Sequence, residues 1–121
     1  MGVMKPEILL TADPALTLPA ASEDEIDSVL LRAGIPPHGN YLCFALRNWT
    51  GFESKAPLFG QAAKYAYETY GLTPVFFALE PNRDLGVTRE VRAALRCESV
   101  LLPTPEDETL IIGMMKRMRL V

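Results

Sequence analysis

The chain has 121 residues, of which 49% are apolar and 22% charged, and its formal net charge is −3. This length and composition fit one soluble globular domain, and no apolar run approaches the roughly 20 residues that a membrane-spanning helix needs. This negative net charge excludes a broad electrostatic attraction for nucleic acid or anionic membranes. A small anion could still bind, because it needs only a local positive pocket. The N-terminus lacks the pattern of a signal peptide, so we expect a single cytoplasmic domain spanning residues 1–121.

The first predicted element is a short apolar strand over residues 8–11, which ends before Pro14 because proline cannot extend a hydrogen-bonded ladder. A helix then begins at Ser22, where Glu25 three residues later completes a capping box. Gly34 predicts the end of this helix, because glycine is the residue that most often follows a helix C-terminus.

The middle of the chain continues this alternation in a form that indicates a parallel sheet. Residues 41–46 and 74–79 are apolar at every position, as strands are when helices cover both faces of a sheet. Between them, apolar residues spaced three and four apart predict a helix from about residue 55 to Tyr70, with Gly71 at its end.

The last third predicts a helix over residues 84–95, a short strand over residues 99–102, and a helix that Thr104 caps and Pro105 begins. Residues 120–121 read as the start of a further strand. The whole pattern predicts one three-layer α/β/α domain with a mainly parallel sheet of four to five strands.

Polar residues follow the predicted strands at the edge where open α/β sheets bind their ligands. Arg47, Asn48 and Trp49 follow the strand over residues 41–46, and Glu80 follows the next strand. Two interpretations of Arg47 are open. It either pairs with a carboxylate at a neighbouring strand end, Asp13 or Glu80, or binds a phosphate or carboxylate with its fork of donors.

Asn48 and Trp49 are each open to two interpretations as well. Asn48 either hydrogen-bonds the backbone of the turn or a hydroxyl group of a substrate. Trp49, the chain's only tryptophan, either covers the loop that follows it or offers its ring to a ligand. His38 lies between Pro37 and Gly39 in a predicted surface turn, so we expect it to be solvated and not catalytic.

The remaining residues show no recognisable catalytic motif. Cys43 and Cys97 are far apart in sequence and the chain has one histidine, so we expect no metal site and structural roles for both cysteines. No serine or cysteine lies in a nucleophile-elbow pattern, and no glycine-rich phosphate loop follows the first strand. The residues themselves predict a scaffold with one candidate anion site, made by Arg47, Asn48, Trp49 and Glu80.

Four segments, in this order, resemble the polysaccharide pyruvyl transferase family, especially its CsaB-like members from surface-layer bacteria. These segments are TADPALTL, GNYLCFALRNWTGF, AAKYAYETYGLTPVFFALEPNRDL and LIIGMMKRMRLV. The most specific features are the Asp-Pro pair at residues 13–14, Arg47 at a strand end with Trp49 behind it, and the Tyr-Gly helix end at residues 70–71.

The resemblance implies transfer of a pyruvyl group from phosphoenolpyruvate to a sugar of a cell-wall polysaccharide or its lipid-linked precursor, forming a ketal. It implies a Rossmann-like domain similar to one half of a GT-B-type glycosyltransferase, with Arg47 holding the phosphate or carboxylate of the donor. It implies no cofactor besides this donor substrate, and a cytoplasmic enzyme that lies peripheral to the inner face of the membrane.

The chain also departs from this family. Its members carry an N-terminal domain and continue beyond the counterpart of Val121 into a Gly-x-Arg-Leu-His segment, whose arginine and histidine complete the donor site. We therefore expect the chain to be most of the C-terminal half of a two-domain enzyme, to fold by itself and not to turn over substrate. None of its residues is assigned a catalytic role. Such a half is expected to expose an apolar docking surface or an edge strand through which it forms a homodimer.

Two alternatives come from other functional classes. One is a stand-alone α/β module that binds anions or a protein partner without catalysis. The other is a domain of a different GT-B-type sugar transferase, in which a nucleotide base would stack beside Trp49.

Overall fold

The computed structural model describes residues 9–11, 13 and 17–121, in which helices and strands alternate along the chain. The elements are α1 (Glu23–Arg32), β1 (Tyr41–Ala45), a 3-10 helix (Phe52–Ser54), α2 (Ala56–Tyr70), β2 (Thr73–Phe77), α3 (Pro81–Ala93), β3 (Val100–Leu102) and α4 (Glu108–Lys116). The predicted α/β class is confirmed. None of the described helices combines the length and the apolar character needed to cross a bilayer.

The sheet within these described residues has three parallel strands in the order β1-β2-β3, rather than the four to five that the sequence predicts. Its register aligns Cys43 with Val75 and Val75 with Val100. On the other edge of β1, Leu120 forms one parallel bridge to Leu42, and the backbone N–H of Cys43 donates to the carbonyl of Leu120 at 2.8 Å. This is a parallel, Rossmann-like arrangement with fewer strands than expected.

The two predicted strands at the ends of the chain account for the difference. Leu9, Leu10 and Thr11 are exposed and lie outside any strand, and Ile8 falls outside the described residues. The side chain of Leu10 is fully exposed, so burial of apolar surface does not favour an extended strand there. The predicted strand at residues 120–121 is represented by the single bridge at Leu120.

Helices cover both faces of the sheet, as the uninterrupted apolar runs predict. α1 packs against α4, and α2 packs against α3. Val75 and Phe77 of β2 enter the core formed with α1 and α4, while Phe76 between them enters the core under α2 and α3. All three side chains are fully buried, because alternate residues of a strand point to opposite faces of its sheet.

The order in which successive strands are placed across the sheet changes direction once. β1, β2 and β3 follow one another across the sheet, whereas the chain after α4 returns to Leu120 on the far side of β1. Because connections between parallel strands are almost always right-handed, this reversal accounts for α4 lying on the opposite face from α2 and α3. Ligands of open α/β sheets bind beyond the carboxyl ends of the strands at such a reversal, which here lies beside β1.

α3 begins earlier than predicted, at Pro81 rather than at Asp84. Proline is tolerated at the first helical position, because the N–H that it lacks would have no partner within the helix. Residues 81–84 therefore form the first turn of α3, and Glu80 is its N-cap residue. This shift brings the side chain of Asp84 back toward the end of β2.

α4 begins later than predicted, at Glu108. Asp107 caps this helix by accepting a hydrogen bond from the backbone N–H of Thr109 at 2.8 Å. Thr104, the predicted cap, instead donates its hydroxyl hydrogen to the carbonyl of Ala78 at 2.6 Å. Thr104 thus hydrogen-bonds a residue distant in sequence instead of capping the helix, and the local sequence pattern does not predict such a partner.

Arg117 connects the C-terminal end of α4 to α1. Its side chain is 16% exposed and forms ion pairs with Glu23 and, at 2.7 Å, with Asp27. Its Nη1 also lies 3.3 Å from Nδ1 of His38. His38 is exposed, as expected of a surface turn, and has this arginine as a neighbour.

Gly113 and Gly86 provide a matched test of the packing between α4 and α1. A β-carbon at Gly113 would lie 2.6 Å from Cγ1 of the buried Ile26, whereas one at Gly86 in α3 would meet nothing within 4 Å. Gly86→Ala should raise the free energy of unfolding by about 0.5–1 kcal/mol, because alanine favours a helix. Gly113→Ala should lower it by about 1 kcal/mol, because overpacking outweighs that gain. Urea unfolding followed by circular dichroism measures both, and equal stabilisation by the two substitutions would contradict the close contact.

Candidate functional site

The four predicted site residues lie at one edge of the sheet. Arg47, Asn48 and Trp49 follow the carboxyl end of β1, and Glu80 precedes α3 after the carboxyl end of β2. Since β1 and β2 are parallel neighbours, their carboxyl ends lie side by side, and the reversal of strand order lies on the other side of β1, next to Leu120.

Arg47, Glu80 and Arg83 form a group of three charged side chains, called here the charge cluster. Nη2 of Arg47 lies 2.7 Å from Oε2 of Glu80, and Nη1 of Arg83 lies 3.2 Å from the same oxygen. Of the two interpretations of Arg47, the structure shows the ion pair with Glu80. The side chains of Arg47, Glu80 and Arg83 are 60%, 45% and 58% exposed, so solvent reaches all three.

Arg83 is a member of this cluster that the sequence did not predict. Its position three residues after Glu80 is the spacing at which two side chains of one helix meet, but the predicted helix began only at residue 84. Two guanidinium groups and one carboxylate leave the cluster with an excess positive charge.

Asp84 connects the ends of β1 and β2 through its buried carboxylate, an arrangement called here the Asp84 bridge. Oδ1 accepts a hydrogen bond from the backbone N–H of Asn48 at 3.2 Å, and Oδ2 accepts one from the backbone N–H of Glu80 at 3.1 Å. Asp84 is only 2% exposed, and the hydroxyl of Thr88 donates to its backbone carbonyl at 2.7 Å. The bridge therefore fixes the backbone next to Arg47 relative to that of Glu80.

Trp49 packs on Phe52, which in turn packs on Phe59. Its ring packs edge-on against Phe52, with 5.2 Å between the ring centroids, and Phe52 stacks on Phe59 at 5.6 Å. Phe52 is completely buried, whereas Trp49 remains 51% exposed. Gly51, with a φ of 86°, allows the sharp turn between them. Trp49 thus covers Phe52 and still presents half of its surface to solvent.

An open groove of about 550 Å³ lies beside Trp49. Its lining residues are polar apart from the tryptophan: Asn48, Trp49, Thr50, Glu53, Asn82 and Arg83. Arg47 and Glu80 do not line this groove, so the structure separates the four predicted residues into two adjoining parts. Arg83 belongs to both the groove and the charge cluster.

No family model, curated protein or solved structure matches this chain. The chemistry open to the site is that of its own residues. These offer guanidinium groups that bind anions, and amide and hydroxyl groups that bind polar ligands.

The cysteines lie outside this site. Burial raises the pKa of Cys43 to about 11, so its thiol is protonated at neutral pH and is a poor nucleophile. Burial also raises the pKa of Cys97, which is partly buried beyond the other end of α3. Among the described residues, no three His, Cys, Asp or Glu side chains are grouped closely enough to hold a metal ion.

Proposed function

We propose that this chain is the donor-binding α/β unit of a polysaccharide pyruvyl transferase and that it binds phosphoenolpyruvate at the charge cluster. The observation that carries this proposal is the position of Arg47. Its side chain is 60% exposed and extends from the carboxyl end of β1, the strand beside which the strand order reverses. The ordered sequence likeness to that family is the second support.

The chemistry of the donor agrees with this position. Phosphoenolpyruvate carries a phosphate and a carboxylate on three carbons, and a guanidinium group binds either one with two parallel hydrogen bonds while staying charged. In the reaction, two hydroxyl groups of the acceptor sugar lose their protons as their oxygens bond to the central carbon of the donor. One proton goes to the methylene carbon, and the other leaves with the phosphate as its bond to the central carbon breaks. Arginines at the phosphate stabilise the charge that develops on it as the bond to carbon breaks.

The groove beside Trp49 favours a second candidate, a domain of another GT-B-type sugar transferase. Trp49 would stack on a nucleotide base, and the amides of Asn48 and Asn82 would bind its polar edge or the ribose. A non-catalytic anion-binding module is the third possibility, and it would bind phosphate as well as it binds phosphoenolpyruvate.

Calorimetric titration of the chain with phosphoenolpyruvate, inorganic phosphate and a uridine diphosphate sugar tests these candidates. We expect phosphoenolpyruvate to bind most tightly. Arg47→Ala should weaken that binding more than about tenfold, because a charge-assisted hydrogen bond is lost. Arg47→Lys should restore only part of the affinity, because lysine keeps the positive charge but lacks the fork geometry of a guanidinium. Arg96→Ala, which removes the same charge beyond the far end of α3, is the control.

Three results would count against the proposal. Unchanged binding in Arg47→Ala would remove its physical basis. Tighter binding of the sugar nucleotide, lost in Trp49→Ala, would select the second candidate. Equal affinity for inorganic phosphate and phosphoenolpyruvate would favour an anion-binding module.

A further inference from the structure

We infer that Glu80 is the internal counter-ion of a two-arginine clamp, and that a ligand's phosphate or carboxylate binds between Arg47 and Arg83 by displacing the Glu80 side chain. This inference rests on the proposed function for the identity of the ligand. It adds Arg83 as a ligand-binding residue and Glu80 as an intramolecular competitor, neither of which the sequence likeness implies.

The geometry of the charge cluster is the first support. The two guanidinium groups come from different elements, Arg47 from the end of β1 and Arg83 from the first turn of α3, and yet they meet at one oxygen atom of Glu80. An anionic oxygen in that position receives a charge-assisted hydrogen bond from each arginine. Glu80 thus occupies the position in which a ligand oxygen would be bound.

Exposure of the three side chains is the second support. Ion pairs between exposed side chains contribute little, because water solvates both partners nearly as well when they separate. The Glu80 carboxylate is 45% exposed and can turn into solvent at little cost. Its backbone N–H would stay bound to Asp84 Oδ2 while the side chain moves, so the frame of the site is kept.

The charges select the kind of ligand. With Glu80 displaced, two positive groups face the bound anion, which favours a dianionic phosphate, or a molecule with both phosphate and carboxylate, over a singly charged carboxylate. Because Arg83 also lines the groove beside Trp49, the uncharged part of a larger ligand would extend into that groove.

The test measures the affinity for phosphoenolpyruvate, inorganic phosphate and pyruvate by calorimetry at constant ionic strength. Glu80→Gln should bind phosphoenolpyruvate about threefold to fivefold more tightly than the unmodified chain, because the competing carboxylate is gone. Arg83→Ala should bind it about tenfold more weakly, with Arg83→Lys in between. Pyruvate should bind more weakly than either phosphate compound.

Matched controls separate the clamp from a change of net charge. Glu98→Gln and Arg96→Ala alter the net charge by the same amounts as Glu80→Gln and Arg83→Ala, but lie beyond the opposite end of α3. Both controls should stay within about twofold of the unmodified chain, since exposed charges more than a Debye length away are screened. Circular dichroism establishes that every variant is folded.

The outcomes distinguish this inference from the proposed function. If Arg47→Ala weakens binding while Arg83→Ala and Glu80→Gln change nothing, the clamp is refuted and the donor site at Arg47 stands. If Glu80→Gln weakens binding, Glu80 is a ligand contact and not a competitor, and the inference fails. If Arg47→Ala has no effect either, both fail.

Discussion

Replacing Asp84 with alanine should lower the free energy of unfolding by about 3 kcal/mol, because two backbone N–H groups would lose a buried, charged acceptor. Asp84 is 2% exposed, so water cannot easily replace its carboxylate at the N–H groups of Asn48 and Glu80. Asp84→Asn should show a smaller loss, since an amide oxygen accepts from one N–H group while the amide nitrogen faces the other. Urea unfolding measures both effects.

The matched control is Asp24→Ala in α1, where the aspartate is exposed and the change should stay within about 0.5 kcal/mol. Hydrogen exchange adds a local measurement. The amides of Asn48 and Glu80 should lose more protection in Asp84→Ala than the amide of Phe76 at the centre of β2. An Asp84→Ala protein as stable as the unmodified chain would show that the bridge does not hold the two strand ends together.

Replacing Phe52 with alanine should lower the free energy of unfolding by about 3–4 kcal/mol, since its ring is completely buried between Trp49 and Phe59. It should also change the environment of Trp49, whose emission is the only tryptophan signal of the chain. We expect this emission to shift to longer wavelength in native conditions as the ring loses its support and becomes more solvated.

Two variants test the specificity of this effect. Phe52→Leu keeps most of the buried volume and should cost less than about 1.5 kcal/mol. Leu58→Ala removes a side chain that is 57% exposed on α2 and should have an effect within about 0.5 kcal/mol. An unchanged tryptophan spectrum in Phe52→Ala would mean that the loop after β1 is held by other contacts.

The α/β class could be predicted from the sequence because its signals are local. Residues 41–46 and 74–79 are apolar at every position, as short strands covered on both faces are, and these runs predicted β1 and β2 to within two residues. The caps of α1 and α2 were also predicted. The backbone N–H of Ser22 donates to Glu25 at 3.0 Å, and Gly71 has the left-handed φ of 63° that ends α2.

The candidate site was predicted in part, for the same reason. The position of Arg47, Asn48 and Trp49 after a buried strand is enough to place them at the carboxyl edge of a parallel sheet. Their partners were not predictable. Arg47 had two candidate carboxylates in the sequence, Asp13 and Glu80, and only the folded chain shows its 2.7 Å contact with Glu80.

The sequence by itself thus determined the class of the fold, the covering of both sheet faces and the edge at which Arg47 lies. These follow from apolar periodicity, glycine and proline, which act within a few residues of the chain. Only the tertiary structure decided the strand order with its reversal beside β1 and the convergence of Arg83 and Arg47 on Glu80. It also decided the hydrogen bond from the backbone N–H of Asn48 to the buried carboxylate of Asp84. Each of these depends on contacts between residues distant in sequence, and the free energy of such a contact depends on which groups the whole fold brings together.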